Sequence, residues 1–166
     1  MPEKRTIERA RRDKREGKAP TTQAGEFVRE EIEHIREGKH GARSAAQAIA
    51  IGLSKARRAG VDLPPPAKGD ASEETRRSAE RALEAGHHPK AKVSAKRSRA
   101  VTQALKRESP AAASETALAR HAKAAAKQRT PAERSAAAKK AARTKGPVER
   151  SQAAEKAART RARHKG

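Results

Sequence analysis

The sequence predicts an all-α, largely non-globular chain, and three observations carry that prediction. First, the 166 residues hold 41 Lys and Arg against 20 Asp and Glu, a formal charge of +21, far from ordinary globular composition. Second, 39 of the nominally hydrophobic residues are alanine, and only 17 are Met, Phe, Ile, Leu or Val. A chain so charged, with so few large apolar side chains, is expected to bury too little area to offset its ordering entropy. Third, the apolar residues that do occur recur at offsets of three and four, the period of a helix. A single compact domain is therefore not expected.

Eleven of the 17 larger apolar residues lie between Met1 and Gly69, where 16 basic and 10 acidic residues give +6; the other 97 residues hold six and carry +15. We accordingly divide the chain into an N-terminal part able to pack and a C-terminal arm that is not. Residues 1–21 form a charged N-terminal helix or arm. In it Glu8 and Arg12, Arg9 and Asp13, and Arg12 and Glu16 stand at i,i+4, which supports a helix without any buried face.

Residues 22–63 read as a helical hairpin. Ala24, Phe27, Val28, Ile32 and Ile35 form one stripe, and Gly38 follows as a stop. Glu26, Glu30, Glu31, Glu33 and Glu37 occupy the rest of that helix and are expected to be solvated. Ser44 with Gln47 makes a capping signature. Ala45, Ala48, Ile49, Gly52, Leu53 and Ala56 then repeat at helical spacing up to Gly60, with Val61 placed to fold back on Ala56. The core residues expected are Phe27, Val28, Ile32, Ile35, Ile49, Gly52 and Leu53, with Ala48, Gly52 and Ala56 allowing close backbone approach. Such a hairpin is marginal alone, so a homodimer through it or a bound partner would stabilise it.

Pro64, Pro65 and Pro66 begin a stiff spacer over residues 64–69. Residues 70–108 read as short basic helices. The pair Asp70 and Glu73 caps a helix over 71–85 that Gly86 ends. His87, His88, Pro89, Lys90 and Lys92 mark a linker, and Ser94 caps a helix over 95–107 whose stripe is Val101, Ala104 and Leu105.

Residues 109–166 form an Ala/Lys/Arg-rich arm, helical or disordered, with 15 cations against 4 Glu. It contains a 16-residue repeat, PAERSAAAKKAARTKG at 131–146 and PVERSQAAEKAARTRA at 147–162, identical at 11 positions. Each copy opens with Pro at the first helical position and Glu two residues on, both favoured there. Arg134, Lys139, Lys140, Arg143, Lys145, Arg150, Lys156, Arg159, Arg161 and Arg163 are the cations expected to contact nucleic acid.

The absence of Cys excludes disulfides, thiolate metal sites and a cysteine nucleophile. The six histidines (34, 40, 87, 88, 121 and 164) show no zinc-ligand spacing, so no metal, cofactor or catalytic residue is expected, and no enzyme activity. No apolar run approaches a membrane span, and the first twenty residues lack a secretory pattern. A cytoplasmic, nucleoid-associated protein without membrane partners is the expectation.

The stretch HGARSAAQAIAIGLSKARRAGV at 40–61 resembles a motif of small, Lys- and Arg-rich bacterial proteins labelled DNA-binding or plasmid-stabilisation proteins. The opening TIERARRDKREGKAPTTQAGEFVREEIEHIREGKHG is similar to their longer members. The resemblance implies a bacterial protein associated with nucleic acid and brings no catalytic residues. The tail is similar in composition to linker-histone and histone-like tails.

Sequence-independent binding of duplex DNA through phosphates is the expected function, serving nucleoid organisation or plasmid maintenance. Regularly spaced cations suit a polyanion. With no Trp or Tyr and a single Phe, no stacking platform for single strands exists. The alternative is a protein-interaction module in which the hairpin, through its acidic first helix, binds a basic protein while the arm tethers it to RNA or the ribosome.

Overall fold

The protein is all-helical. The computed structural model describes residues 2–88 and 94–163, without the side chains of Thr144 and Lys145. In chain order come α1 (Lys4–Arg15), α2 (Pro20–Arg36), α3 (Ala45–Arg58), α4 (Glu73–His87), α5 (Ala95–Lys106), a 3-10 turn (Pro110–Ala113), α6 (Glu115–Gln128) and α7 (Pro131–Arg163). The chain divides into two units, Met1–His121 and Ala122–Gly166. The linker residues Pro89, Lys90 and Lys92 fall outside the described residues.

The local signals that delimit α2 and α3 operate as their chemistry dictates. Gly38 takes φ +73°, and the Lys39 and Gly38 amides donate to the carbonyls of His34 (3.0 Å) and Ile35 (3.1 Å), closing α2. Ser44 Oγ accepts from the Gln47 amide at 3.2 Å, and Gln47 Oε1 accepts from the Arg43 amide at 2.7 Å. At the far end Gly60 takes φ +87°, and the Val61 amide donates to the Ala56 carbonyl at 3.1 Å. Val61 is buried beside Ala56.

The first unit is built around α2 and α3, which pack together; α1 packs on α2, α4 on α3, and the 3-10 turn on both α2 and α3. Two apolar clusters fill the contacts. One joins Ala10, Ala24, Phe27, Ala56, Val61 and Leu63, with Ile7 and Leu53 against it. The other joins Ile32, Ile35, Ala42, Ala48, Ala112 and Ala113, with Val28 and Leu118 against it. Of the expected core residues, Phe27, Ile32, Ile35 and Gly52 are buried, whereas Val28, Ile49 and Leu53 are half-buried. Gly52 lies so close to α2 that a Cβ there would come within 2.7 Å of the Val28 Cα.

These contacts correct several expectations. Alanine supplies seven of the twelve buried cluster residues, so counting only larger apolar side chains understated what this chain can bury. An alanine loses no side-chain entropy on burial and lets helices approach closely. Helix α1 has a buried face after all: Thr6, Ala10 and Asp13 are buried, with Asp13 held by Lys18 at 2.8 Å. The prolines do not end the packed part. Arg57 donates to the carbonyls of Leu63 (3.0 Å) and Pro64 (2.9 Å), fixing their start, and α4 returns to α3 beyond them.

Helix α4 differs in both its ends. Ser72, rather than the pair Asp70 and Glu73, caps it, with Ser72 Oγ accepting from the Thr75 amide at 3.2 Å. Gly86 lies inside the helix, because α4 crosses α3 where a Cβ at Gly86 would overlap the Arg57 carbonyl. Ser109–Pro110 does not open the arm either. Ala112 and Ala113 are buried, Arg36 Nε donates to the Ala113 carbonyl at 2.9 Å, and the Gly41 amide donates to Leu105 O at 2.9 Å. By contrast α5 has no buried residue, and Val101, on its expected stripe, is 54% exposed.

The largest departure concerns the glutamates of α2. Glu30 and Glu31 are 2% and 0% exposed, and Glu26 is largely covered; of the five only Glu37 is exposed, and Glu33 partly so. Glu31 Oε2 accepts from Lys55 of α3, Glu30 Oε2 accepts from the Glu3 amide at 3.1 Å, and Glu26 faces Arg9 of α1 at 3.6 Å. Helices α1 and α3 flank α2 on the two sides of its apolar stripe, so carboxylates beside the stripe are covered by the cations or backbone amides those helices bring.

Candidate nucleic-acid interface

The second unit comprises the end of α6 and all of α7. The linkage between them is local: the Glu133 amide donates to Thr130 Oγ1 at 3.2 Å, while the Thr130 amide donates to Glu133 Oε2 at 2.8 Å. This reciprocal cap holds the Glu133 carboxyl below its usual range, chiefly through the hydrogen bond from the Thr130 backbone. The repeat boundary is equally local. Gly146 has φ +66° and ψ 172°, which breaks α7 into two helical stretches, and Pro147 starts the second. Each copy of the repeat is therefore one short helix.

Of the ten expected cations, Arg134, Lys139, Lys140, Arg143, Arg150, Lys156, Arg159, Arg161 and Arg163 are all exposed. The Lys145 side chain lies outside the described residues. In the first copy Lys139, Lys140 and Arg143 share one side of the helix, opposite Ala137, Ala138, Ala141 and Ala142. The second copy keeps Lys156 and Arg159 at the matching places, with Glu155 where the first has Lys139. Arg150 Nε donates to the Gly146 carbonyl at 3.0 Å, tying the side chain to the repeat boundary. No residue from 131 to 141 is buried, and Val148 is 68% exposed, so no apolar face fixes either copy.

The 15 residues of the first copy's helix span about 22 Å at 1.5 Å per residue. Arg134, Lys139, Lys140, Arg143 and Lys145 fall within that length. A duplex of equal length presents about 13 phosphate charges, more than the five cations of one copy. Electrostatically, the arrangement is a rod of mobile point charges. It can attract a polyanion but lacks the paired donors in fixed register that read base edges.

Charge in the first unit is organised differently. Several of its cations are engaged with carboxylates: Arg9 with Glu26, Lys18 with Asp13, Lys55 with Glu31, and Arg76 with Glu73 and Glu80. At the N-terminus the hydrogen bond from His34, reinforced by Arg5, holds the Glu3 carboxyl down to about 2. Lys39, raised chiefly by its contact with Glu37, adds a further cation 3.5 Å from Glu3. Among the described residues no helix is long and apolar enough to cross a membrane. No protein-family model, curated protein or solved structure matches the chain.

Proposed function

We propose that this protein binds duplex DNA without sequence preference, through phosphate contacts made by the cationic helices of residues 122–166, with the first unit as a folded anchor. The supporting observation is the exposure of every described cation of the repeat, in a segment with no buried residue among those described, which leaves their positive charge open to solvent and to a polyanion. Residues 122–166 carry 14 Lys and Arg against 3 Glu, and release of condensed counterions supplies the binding energy. The short helices of the repeat gain order on the duplex, since neutralising their cations removes repulsion between neighbouring turns and Ala-rich helices of this length are marginal alone. Nucleoid association follows from the same chemistry. The tethered protein-interaction reading is the less favoured one, because Glu26, Glu30 and Glu31 of the acidic first helix are covered in the α1–α2–α3 packing and only Glu33 and Glu37 remain for a basic partner.

Competition between unrelated duplexes tests the proposal. Two duplexes of equal length and different sequence should displace a labelled third within about threefold of each other, whereas base readers discriminate by about a thousandfold or more. A preference of that larger size for one duplex would overturn it, and a clear preference for RNA over DNA of equal length would redirect it to the RNA-tethering alternative.

A further inference from the structure

The fold gathers three side chains that sequence spacing does not connect. Glu31 and His34 sit at i and i+3 on α2, one above the other, and His40 is brought over them by the loop that follows the Gly38 stop. One ligand atom from each lies within 4.8 Å of the other two. The rings of His34 and His40 meet edge to face with centroids 6.4 Å apart. The carboxylate is the unusual member: Glu31 is wholly buried, and its Oε1 has no hydrogen-bond partner. A buried carboxylate oxygen left unsatisfied is costly. His40 Nε2 lies 3.4 Å from Glu31 Oε1. Ligand atoms about 2.1 Å from a tetrahedral ion lie about 3.4 Å from one another, so this pair already has the separation a shared metal would require.

Each of the three is also oriented from behind. The Gly41 carbonyl lies 3.1 Å from His40 Nδ1, which leaves Nε2 as the coordinating nitrogen. Lys55 occupies Glu31 Oε2 and leaves Oε1. Glu3 places a carboxylate 2.9 Å from the His34 ring. Backbone carbonyls and carboxylates on the far side of ligating histidines are the usual supports of a metal centre.

We propose that Glu31, His34 and His40 form a binding site for one divalent transition-metal ion of the zinc class, with two imidazoles and one carboxylate as protein ligands. Nitrogen with one carboxylate oxygen suits Zn2+ and its neighbours rather than Mg2+ or Ca2+, which require mostly oxygen. The ion satisfies Glu31 Oε1 and joins α2 to the loop after it. The site is independent of the DNA-binding reading, since its residues lie on α2 and the loop after it and none belongs to the cationic repeat.

Zn2+ titration of the full chain, followed through the histidine ring resonances and by calorimetry, tests this. One equivalent should bind and shift the rings of His34 and His40, leaving those of His87, His88 and His121 in place. A His34→Gln or His40→Gln chain should bind at least about tenfold more weakly, the lower end of what loss of even a supporting contact costs a metal site, while one carrying His87→Gln, His88→Gln and His121→Gln together should bind as the parent does. The ring shifts are read on the unaltered protein, so a variant that fails to fold does not decide the matter. No stoichiometric binding, or shifts confined to the other histidines, would overturn the proposal.

Discussion

Removing residues 122–166 is expected to lower duplex affinity at least about a hundredfold near physiological salt, because it takes away 14 of the 41 cations and with them several phosphate contacts. The remainder is still basic, with 27 Lys and Arg against 17 Asp and Glu, but it carries proportionally more carboxylates, which pair with several of its cations. The cut must fall after His121. Truncation at residue 109 would also remove Ala112, Ala113 and Leu118 from the second apolar cluster and the Arg36 contact to the Ala113 carbonyl. That shorter truncation should lose about 2 kcal/mol of stability in a urea titration, whereas the chain ending at His121 should unfold at the midpoint of the full protein's first unit. Equal duplex affinity for the full and 1–121 chains would move DNA binding onto the folded unit.

Replacing Lys55 with methionine is expected to be strongly damaging to the first unit. It leaves the Glu31 carboxylate buried between α2 and α3 without its cation, and breaking such a pair typically costs about 3–5 kcal/mol. Because Lys55 keeps a quarter of its side chain exposed, water can reach the site, and the lower end of that range is expected. A Glu31→Leu, Lys55→Met double variant should recover most of the loss, since an apolar pair of similar volume removes the desolvation cost of both charges. Urea midpoints of the two single variants and the double variant supply the coupling. A Lys55→Met chain as stable as the parent would show that Glu31 is not buried as the packing requires.

Local structure was largely legible in the sequence, and tertiary structure only where large apolar side chains announced it. Gly38, Ser44, Gly60 and Pro147 delimit helices through backbone chemistry confined to a few residues. Phe27, Ile32 and Ile35 follow from helical period alone. The docking of α1, α4 and Pro110–Ala113 was not legible, because alanine and glycine make it: Ala10, Ala79, Ala82, Ala112 and Ala113 are buried, and Gly41 and Gly86 stand where a Cβ would strike the backbone at Glu108 or Arg57. In a chain with 39 alanines, those few carry no distinguishing pattern. Buried Glu30 and Glu31 were hidden for a related reason. Whether a glutamate beside an apolar stripe faces water depends on what covers it: Glu31 is met by Lys55 of α3 and Glu30 by the Glu3 amide at the start of α1. His34 stands three residues after Glu31 on α2, but His40 lies six residues further on across a helix stop, so only the turn at Gly38 brings it to them. The cationic residues of the repeat were legible because exposure is what their composition dictates.

The measurement that bears most directly on the central claim is the salt dependence of duplex affinity for the full chain and for residues 1–121. Binding through phosphates by the cations of 122–166 predicts a log–log slope of about −5 or steeper for the full chain, and a slope shallower by several units for the truncated one. A slope near zero for the full chain, or the same slope for both chains, would contradict it.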